Sequence, residues 1–143
     1  MRVAEILDRK GSKTVTVMPT DSVNRAVELL REHGFGALVV SSDGDLIEGI
    51  ISERDVVRAL GLRPDLLEMP VSEIMTAKVF TCAPADRLDQ LMALMTERRI
   101  RHLPVVANGA LSGLISIGDV VKYRLSELED ETQAMQDYIQ HGR

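Results

Sequence analysis

The chain has one cysteine, no tryptophan, two phenylalanines and two tyrosines in 143 residues. A single thiol, Cys82, excludes an intramolecular disulfide, which fits a reducing compartment. It reads as a small buried apolar residue rather than a nucleophile. With aromatics at 3%, Leu, Val, Ile, Ala and Met have to fill the interior. No apolar run approaches the roughly 20 residues of a membrane-spanning helix. Residues 1–11 carry Glu5 and Asp8 where a secretory signal needs an apolar stretch. The expectation is a cytoplasmic protein that meets no membrane. A net charge of −5 argues against nucleic acid as the main partner, while leaving room for a local basic patch. The remaining composition, 45% apolar and 27% charged, suits one compact domain or two small modules sharing a core.

What the chain does contain is an internal repeat. Residues 18–40 (MPTDSVNRAVELLREHGFGALVV) align without a gap on 83–105 (APADRLDQLMALMTERRIRHLPV), so that Pro19 meets Pro84, Asp21 meets Asp86 and Val27 meets Met92. One residue is then dropped, and 46–58 (LIEGIISERDVVR) align on 111–122 (LSGLISIGDVVK). Upstream, VAEIL at 3–7 is similar to VSEIM at 71–75. The organisation read from this is a module at 1–61, a linker at 62–69, a second module at 70–124 and an amphipathic C-terminal helix at 125–143.

Each module predicts helix, strand, helix, strand, strand, helix. Short β-rich stretches lie at 15–17 and 79–81. Helices open at Asp21-Ser22 and Asp86-Arg87, with apolar residues at helical spacing behind them. GALVV and HLPVV are compact strands, followed by the hairpin dipeptides Asp43-Gly44 and Asn108-Gly109. The fold class is α+β. A three-stranded sheet with helices on one face cannot cover its apolar side alone, so the two copies are expected to pack as a pseudo-two-fold pair.

ISERDVV (51–57) and ISIGDVV (115–121) keep Ser, two variable residues and Asp at a strand-to-helix junction. Either stretch alone reads as a capping box, the Ser hydroxyl accepting from the third amide and the acid suiting the helix dipole. The same groups can do more. A helix N-terminus offers amides to phosphate, and a carboxylate beside it can accept from both hydroxyls of a ribose.

With its two GALVV/HLPVV strands, Gly turns and GIISERDVV/GLISIGDVV motifs, the chain resembles a tandem pair of cystathionine β-synthase (CBS) domains, a Bateman module, over residues 1–124. The resemblance implies a regulatory module that binds an adenosine-containing effector: AMP, ADP, ATP, NAD(H) or S-adenosylmethionine. It implies Asp55 and Asp119 as ribose acceptors, with Ser52 and Ser116 facing phosphate. It also implies an adenine pocket lined by Thr14, Val15, Ala37, Leu38 and Val39 in one half and by Val79, Phe80, Leu103 and Pro104 in the other.

Arg98, Arg99, Arg101 and His102 cluster before the HLPVV strand. They read either as cations at a helix C-terminus or, for Arg101 and His102, as phosphate partners in the cleft. The matched positions of the first module, 33–37, hold no Arg or Lys, whereas Arg54 in the first motif is matched by Gly118 in the second. The two halves are therefore not equivalent, and Arg54 and Gly118 both belong to the expected phosphate side.

Val121, Leu125, Leu128, Thr132, Met135 and Ile139 are spaced 4, 3, 4, 3, 4, a heptad-like seam. A homodimer using this helix is expected, with an unidentified regulated protein as a further partner. His33, His102 and His141 lack metal-ligand spacing, and neither a P-loop nor G-x-G-x-x-G occurs. No metal and no catalytic residues are expected. The reading is a non-enzymatic adenine-nucleotide sensor, against an interaction scaffold that kept the caps and lost binding.

Overall fold

The computed structural model describes residues 1–142. The first module runs α1 (Val3–Lys10), β1 (Thr16–Val17), α2 (Val23–His33), β2 (Ala37–Val40), β3 (Gly49–Ser52) and α3 (Glu53–Leu60). Two short 3-10 turns, Leu66–Glu68 and Val71–Glu73, lead into α4 (Leu88–Arg98), β4 (His102–Ala107), β5 (Ala110–Ser116) and α5 (Ile117–His141). The α+β class follows the pattern of the sequence, but the expected order is complete only in the first module, because the helix expected at the start of the second is no more than the 3-10 turn Val71–Glu73.

β1, β2 and β3 form one sheet in that order, β1 parallel and β3 antiparallel to β2. The second sheet holds only β4 and β5. The strand expected at 79–81 shrinks to a single parallel bridge, Cys82 to Val105. Its cause is Pro104, which stands where the first module has Val39. Cys82 still donates to the Pro104 carbonyl at 2.9 Å and accepts from Val106 at 2.8 Å, but Pro104 has no N–H to extend the ladder towards Phe80. Asn108 and Gly109, at φ 53° and 78°, make the expected two-residue turn between β4 and β5. Asp43-Gly44 does not. It lies in a longer loop, residues 41–48, where the Asp43 carboxylate accepts from the amides of Asp45 and Leu46 at 2.9 and 2.8 Å.

The opening segments of the modules are exchanged. Val3, Ile6 and Leu7 of α1 are buried among Leu88, Leu91, Met95, Leu103 and Ile115 of the second module. Val71, Ile74 and Met75 pack among Val17, Ala26, Leu30, Leu38 and Ile51 of the first. Matched backbone bonds hold both exchanges: Val3 N–H to Asp86 and Val71 N–H to Asp21 at 2.9 and 2.8 Å, Leu88 N–H to Met1 and Val23 N–H to Met69 at 3.0 and 2.8 Å. These pairs show the pseudo-two-fold relation directly.

Two matched glycines make room for the exchange. A Cβ on Gly113 would lie 2.7 Å from Leu7 Cδ2. On Gly49 it would lie 2.6 Å from Met75 Sδ and 3.0 Å from the Thr76 carbonyl. At Gly49 the close approach lets Ile50 and Thr76 exchange both backbone hydrogen bonds, at 2.9 and 2.8 Å.

α3 ends at Gly61, and Pro64 follows. No Pro or further Gly interrupts residues 119–141, so the motif helix and the expected tail are one helix, α5. Residue 143 of the predicted tail lies outside the described residues. The seam positions of α5 remain open to solvent, from 42% exposure at Leu128 to 63% at Ile139. Met92, on the apolar stripe of α4, is also exposed, whereas Leu88, Leu91 and Met95 are buried. No helix is long and apolar enough to cross a membrane among the described residues.

Candidate functional site: two cavities between the modules

Both Ser-x-x-Asp stretches are capping boxes. Ser52 Oγ accepts from the Asp55 amide at 3.2 Å, and Asp55 Oδ2 accepts from the Ser52 amide at 2.8 Å. The Ser116–Asp119 pair repeats this at 3.1 and 2.9 Å. The first helical amides are also taken, Glu53 by the Gly36 carbonyl at 3.0 Å and Ile117 by the Arg101 carbonyl at 2.8 Å. The amides of Arg54 and Gly118 are left without a partner among the described residues. Each helix start thus has one donor to spare and a carboxylate whose Oδ2 is partly committed.

A cavity of about 240 Å³ lies beside α3. The first module gives it Ser52, Arg54, Asp55 and Arg58; the second gives it Thr76, Lys78, Val79, Phe80 and residues 99–102. Another, of about 320 Å³, lies beside the start of α5. Here the second module supplies Ser116 and Asp119, while Thr14, Val15, Phe35, Ala37 and Val39 come from the first. Each carboxylate therefore faces the first-strand entry of the opposite module. This crossing follows from the exchange of opening segments.

A further donor reaches each carboxylate from the opening segment of the opposite module. Thr76 Oγ1 donates to Asp55 Oδ1 at 3.2 Å. Lys10 Nζ, which also donates to the Leu114 carbonyl at 2.8 Å, forms an ion pair with Asp119 Oδ2. Burial opposes ionisation of Asp119, but the Lys10 and Ser116 hydrogen bonds and the Lys10 charge outweigh it and hold the carboxyl below its ordinary value.

His102 lines both cavities. Its ring stands against Gly36, whose Cβ, were there one, would lie 3.3 Å from Nε2. Burial first, and then the Lys10 charge, lower its pKa against the opposing pull of Asp119 and Glu53, favouring the neutral ring. Cys82 is buried, and desolvation pushes its thiol up to about 12.

Of the residues expected at the site, Ser52, Arg54, Asp55, Val79, Phe80, Arg101 and His102 meet at the first cavity. Ser116, Asp119, Thr14, Val15, Ala37 and Val39 meet at the second, again with His102. Leu38 and Leu103 do not reach either cavity, being fully buried core residues, and Pro104 is buried beside them. Gly118 is exposed at the helix start and lines neither cavity. Sequence reasoning missed Lys10, Thr76 and Lys78. Lys10 and Lys78 occupy matched places after VAEIL and VSEIM, a signal that aligning these segments three residues further would have exposed.

The CBS domain family matches residues 3–62 and 71–126. The chain is 39% identical to the mitochondrial CBS domain-containing protein CBSX3 of Arabidopsis thaliana, over 98% of this chain and 72% of that protein. A solved CBS-domain containing protein from Agrobacterium tumefaciens is 45% identical, with a TM-score of 0.83 over 87% of this chain and 99% of that one. At 23% identity the CBS domain pair of protein MJ0100, solved with 5′-methylthioadenosine and S-adenosyl-L-methionine, shares the fold: TM-score 0.77 over 86% of this chain and 98% of that one. Two family matches on the two halves of the repeat, and close relatives in sequence and in shape, lead to one conclusion: the chain belongs to the CBS domain family and is a tandem CBS pair.

Proposed function

We propose that the chain is a regulatory sensor that binds an adenosine-containing ligand, AMP, ATP or NAD(H), in the cavities between its modules. The observation that carries this reading is the carboxylate in each cavity, met from the opposite module by a single donor, Thr76 Oγ1 or Lys10 Nζ. Two ribose hydroxyls, both donors, can take that place. The adenine then lies along Val79 and Phe80 in one cavity and Thr14, Val15 and Ala37 in the other. Phosphate faces Ser52 with Arg54, Arg101 and His102, or Ser116 with His102. The adenosyl ligands of MJ0100 fit the same class.

A ligand shifts a conformational equilibrium only through unequal affinity for its states. Displacing Thr76 or Lys10 supplies that inequality, because each is the contact through which one module's opening segment holds the other's helix start. The exposed seam on α5, from Val121 to Ile139, supports a homodimer as the assembly through which occupancy is transmitted.

The test is thermal unfolding of the full chain with AMP, ADP, ATP, NAD, NADH and S-adenosylmethionine, alongside native mass spectrometry for co-purified ligand. A true ligand at a hundred times its Kd adds about 2.7 kcal/mol of stability. A shift with S-adenosylmethionine alone would replace the nucleotide reading by a methyl-donor sensor. No shift with any of them, and no bound mass, would leave a scaffold.

A further inference from the structure

The two cavities carry different charge. The cavity beside α3 is lined by Arg54, Arg58, Lys78, Arg99 and Arg101, against Glu53 and Asp55. None of these five cations makes an ion pair or a side-chain hydrogen bond among the described residues. The cavity beside α5 has Lys10 and Lys13, and Lys10 is bound to Asp119.

This difference is built position by position. Arg54 and Arg58 are matched by Gly118 and by Lys122, which lies over the Tyr123 ring at 5.2 Å and lines neither cavity. Lys78 is matched by the paired Lys10. Arg99 and Arg101 are matched by Gly34 and Gly36. Arg99 adds a second indication. At the C-cap of α2 the left-handed backbone is taken by Gly34, at φ 66°, whereas at the end of α4 an arginine holds it, at φ 54°. A strained backbone kept under a guanidinium that lines a cavity points to use of that guanidinium.

We propose that the Asp55 cavity is the polyphosphate site of the pair, selecting adenosine ligands by their number of phosphates through these five cations, while the Asp119 cavity takes ligands of little charge. Unpaired cations facing one hollow repel one another, and each phosphate added to the ligand relieves that repulsion and gains charge-assisted hydrogen bonds. In the Asp119 cavity the carboxylate already neutralises Lys10, and a phosphate gains only Lys13.

The inference rests on the adenosine reading above, so the probes separate the two. The full chain is titrated calorimetrically with adenosine, AMP, ADP, ATP and inorganic tripolyphosphate at low and high salt. The same series is run on Lys10→Met/Asp119→Ala, which isolates the Asp55 cavity without freeing the Lys10 cation, and on Arg54→Ser/Arg101→Ser, whose changed side chains are exposed; the folding of both is checked by thermal melting. ATP is expected to bind Lys10→Met/Asp119→Ala about tenfold or more tighter than AMP. Tripolyphosphate should compete with ATP, salt should weaken ATP more than AMP, and the double arginine variant should bring the ATP-to-AMP ratio close to one. Equal affinities for AMP and ATP in Lys10→Met/Asp119→Ala, or a preference that survives loss of both arginines, would overturn the inference and leave the adenosine reading standing. Tripolyphosphate binding with no response to adenosine or AMP would support the cation cluster and overturn the adenosine reading alone.

Discussion

The Asp55 and Asp119 cavities come from matched positions of one repeat, yet a different group meets each carboxylate. Both keep the capping box, the bond from the first helical amide to the opposite strand's entry, and the glycine that admits the other module's opening segment. They diverge at the side chains that reach across: Thr76 on Asp55, Lys10 on Asp119, five cations without a carboxylate partner on one side, and the paired Lys10 with Lys13 on the other. The backbone frame has survived duplication because both halves need it to fold. The reaching side chains, half-exposed or exposed, were free to separate.

The frame is where substitution should do most damage, and unequally. Gly49→Val forces a methyl-bearing carbon against the Thr76 carbonyl, a backbone atom that cannot step aside, whereas Gly113→Val meets only the flexible end of Leu7. Both are expected to destabilise by roughly 1–3 kcal/mol, Gly49→Val the more, in guanidinium unfolding. Equal losses would mean that Thr76 is less firmly held than its paired hydrogen bonds imply.

The caps come next. Ser52→Ala and Ser116→Ala each remove the acceptor for one helix amide and should cost about 1 kcal/mol. Because the two boxes share one geometry, the two losses should agree.

Lys10→Met and Lys78→Met split the matched lysines. Lys10 pairs with a half-buried carboxylate, so its loss should cost no more than about 1 kcal/mol after solvent screening. Lys78→Met should leave stability unchanged. The acid limb separates them further. Asp119 is held below the ordinary carboxyl value of 3.8, so its contribution is complete above that pH and is lost as pH falls through the lower folded-state value. Without Lys10 that loss should begin at higher pH, whereas Lys78→Met should unfold with acid as the native chain does.

The smallest effect concerns His102, shared by both cavities and surrounded by Lys10, Arg101, Asp119 and Glu53. Its folded pKa lies below the ordinary imidazole value of 6.5, so stability is complete above that pH and declines as pH falls through the folded value. His102→Gln should flatten this decline, a change of about 1 kcal/mol or less, visible in melting temperatures between pH 7 and the acid limb.

Much of this could be read from the residues. The 65-residue offset located both modules, and the Ser-x-x-Asp stretches located both helix starts. The exchange of α1 and the 71–75 segment could not be read, because a repeat says that two segments are equivalent and not which copy each one packs on. Thr76 and Lys10 were hidden for the same reason, since each acts across the exchange. Leu38 and Leu103 looked like pocket residues from their place in the strands, but the strands alternate, and these two side chains point into the cores; Pro104, on the opposite face of β4 from Leu103, is buried without lining either cavity. The missing strand at 79–81 was written in Pro104 all along, as a lost donor opposite that segment.

The central claim is that each cavity binds an adenosyl ligand through one carboxylate of one module and the first-strand entry of the other. Calorimetric titration of AMP into the native chain, Asp55→Ala, Asp119→Ala and the double variant tests it most directly. Losing hydrogen bonds to a charged acceptor should weaken the altered site by about a hundredfold. The account predicts that each single variant loses one class of site and keeps the other, and that the double variant binds nothing. Full binding in the double variant would contradict it.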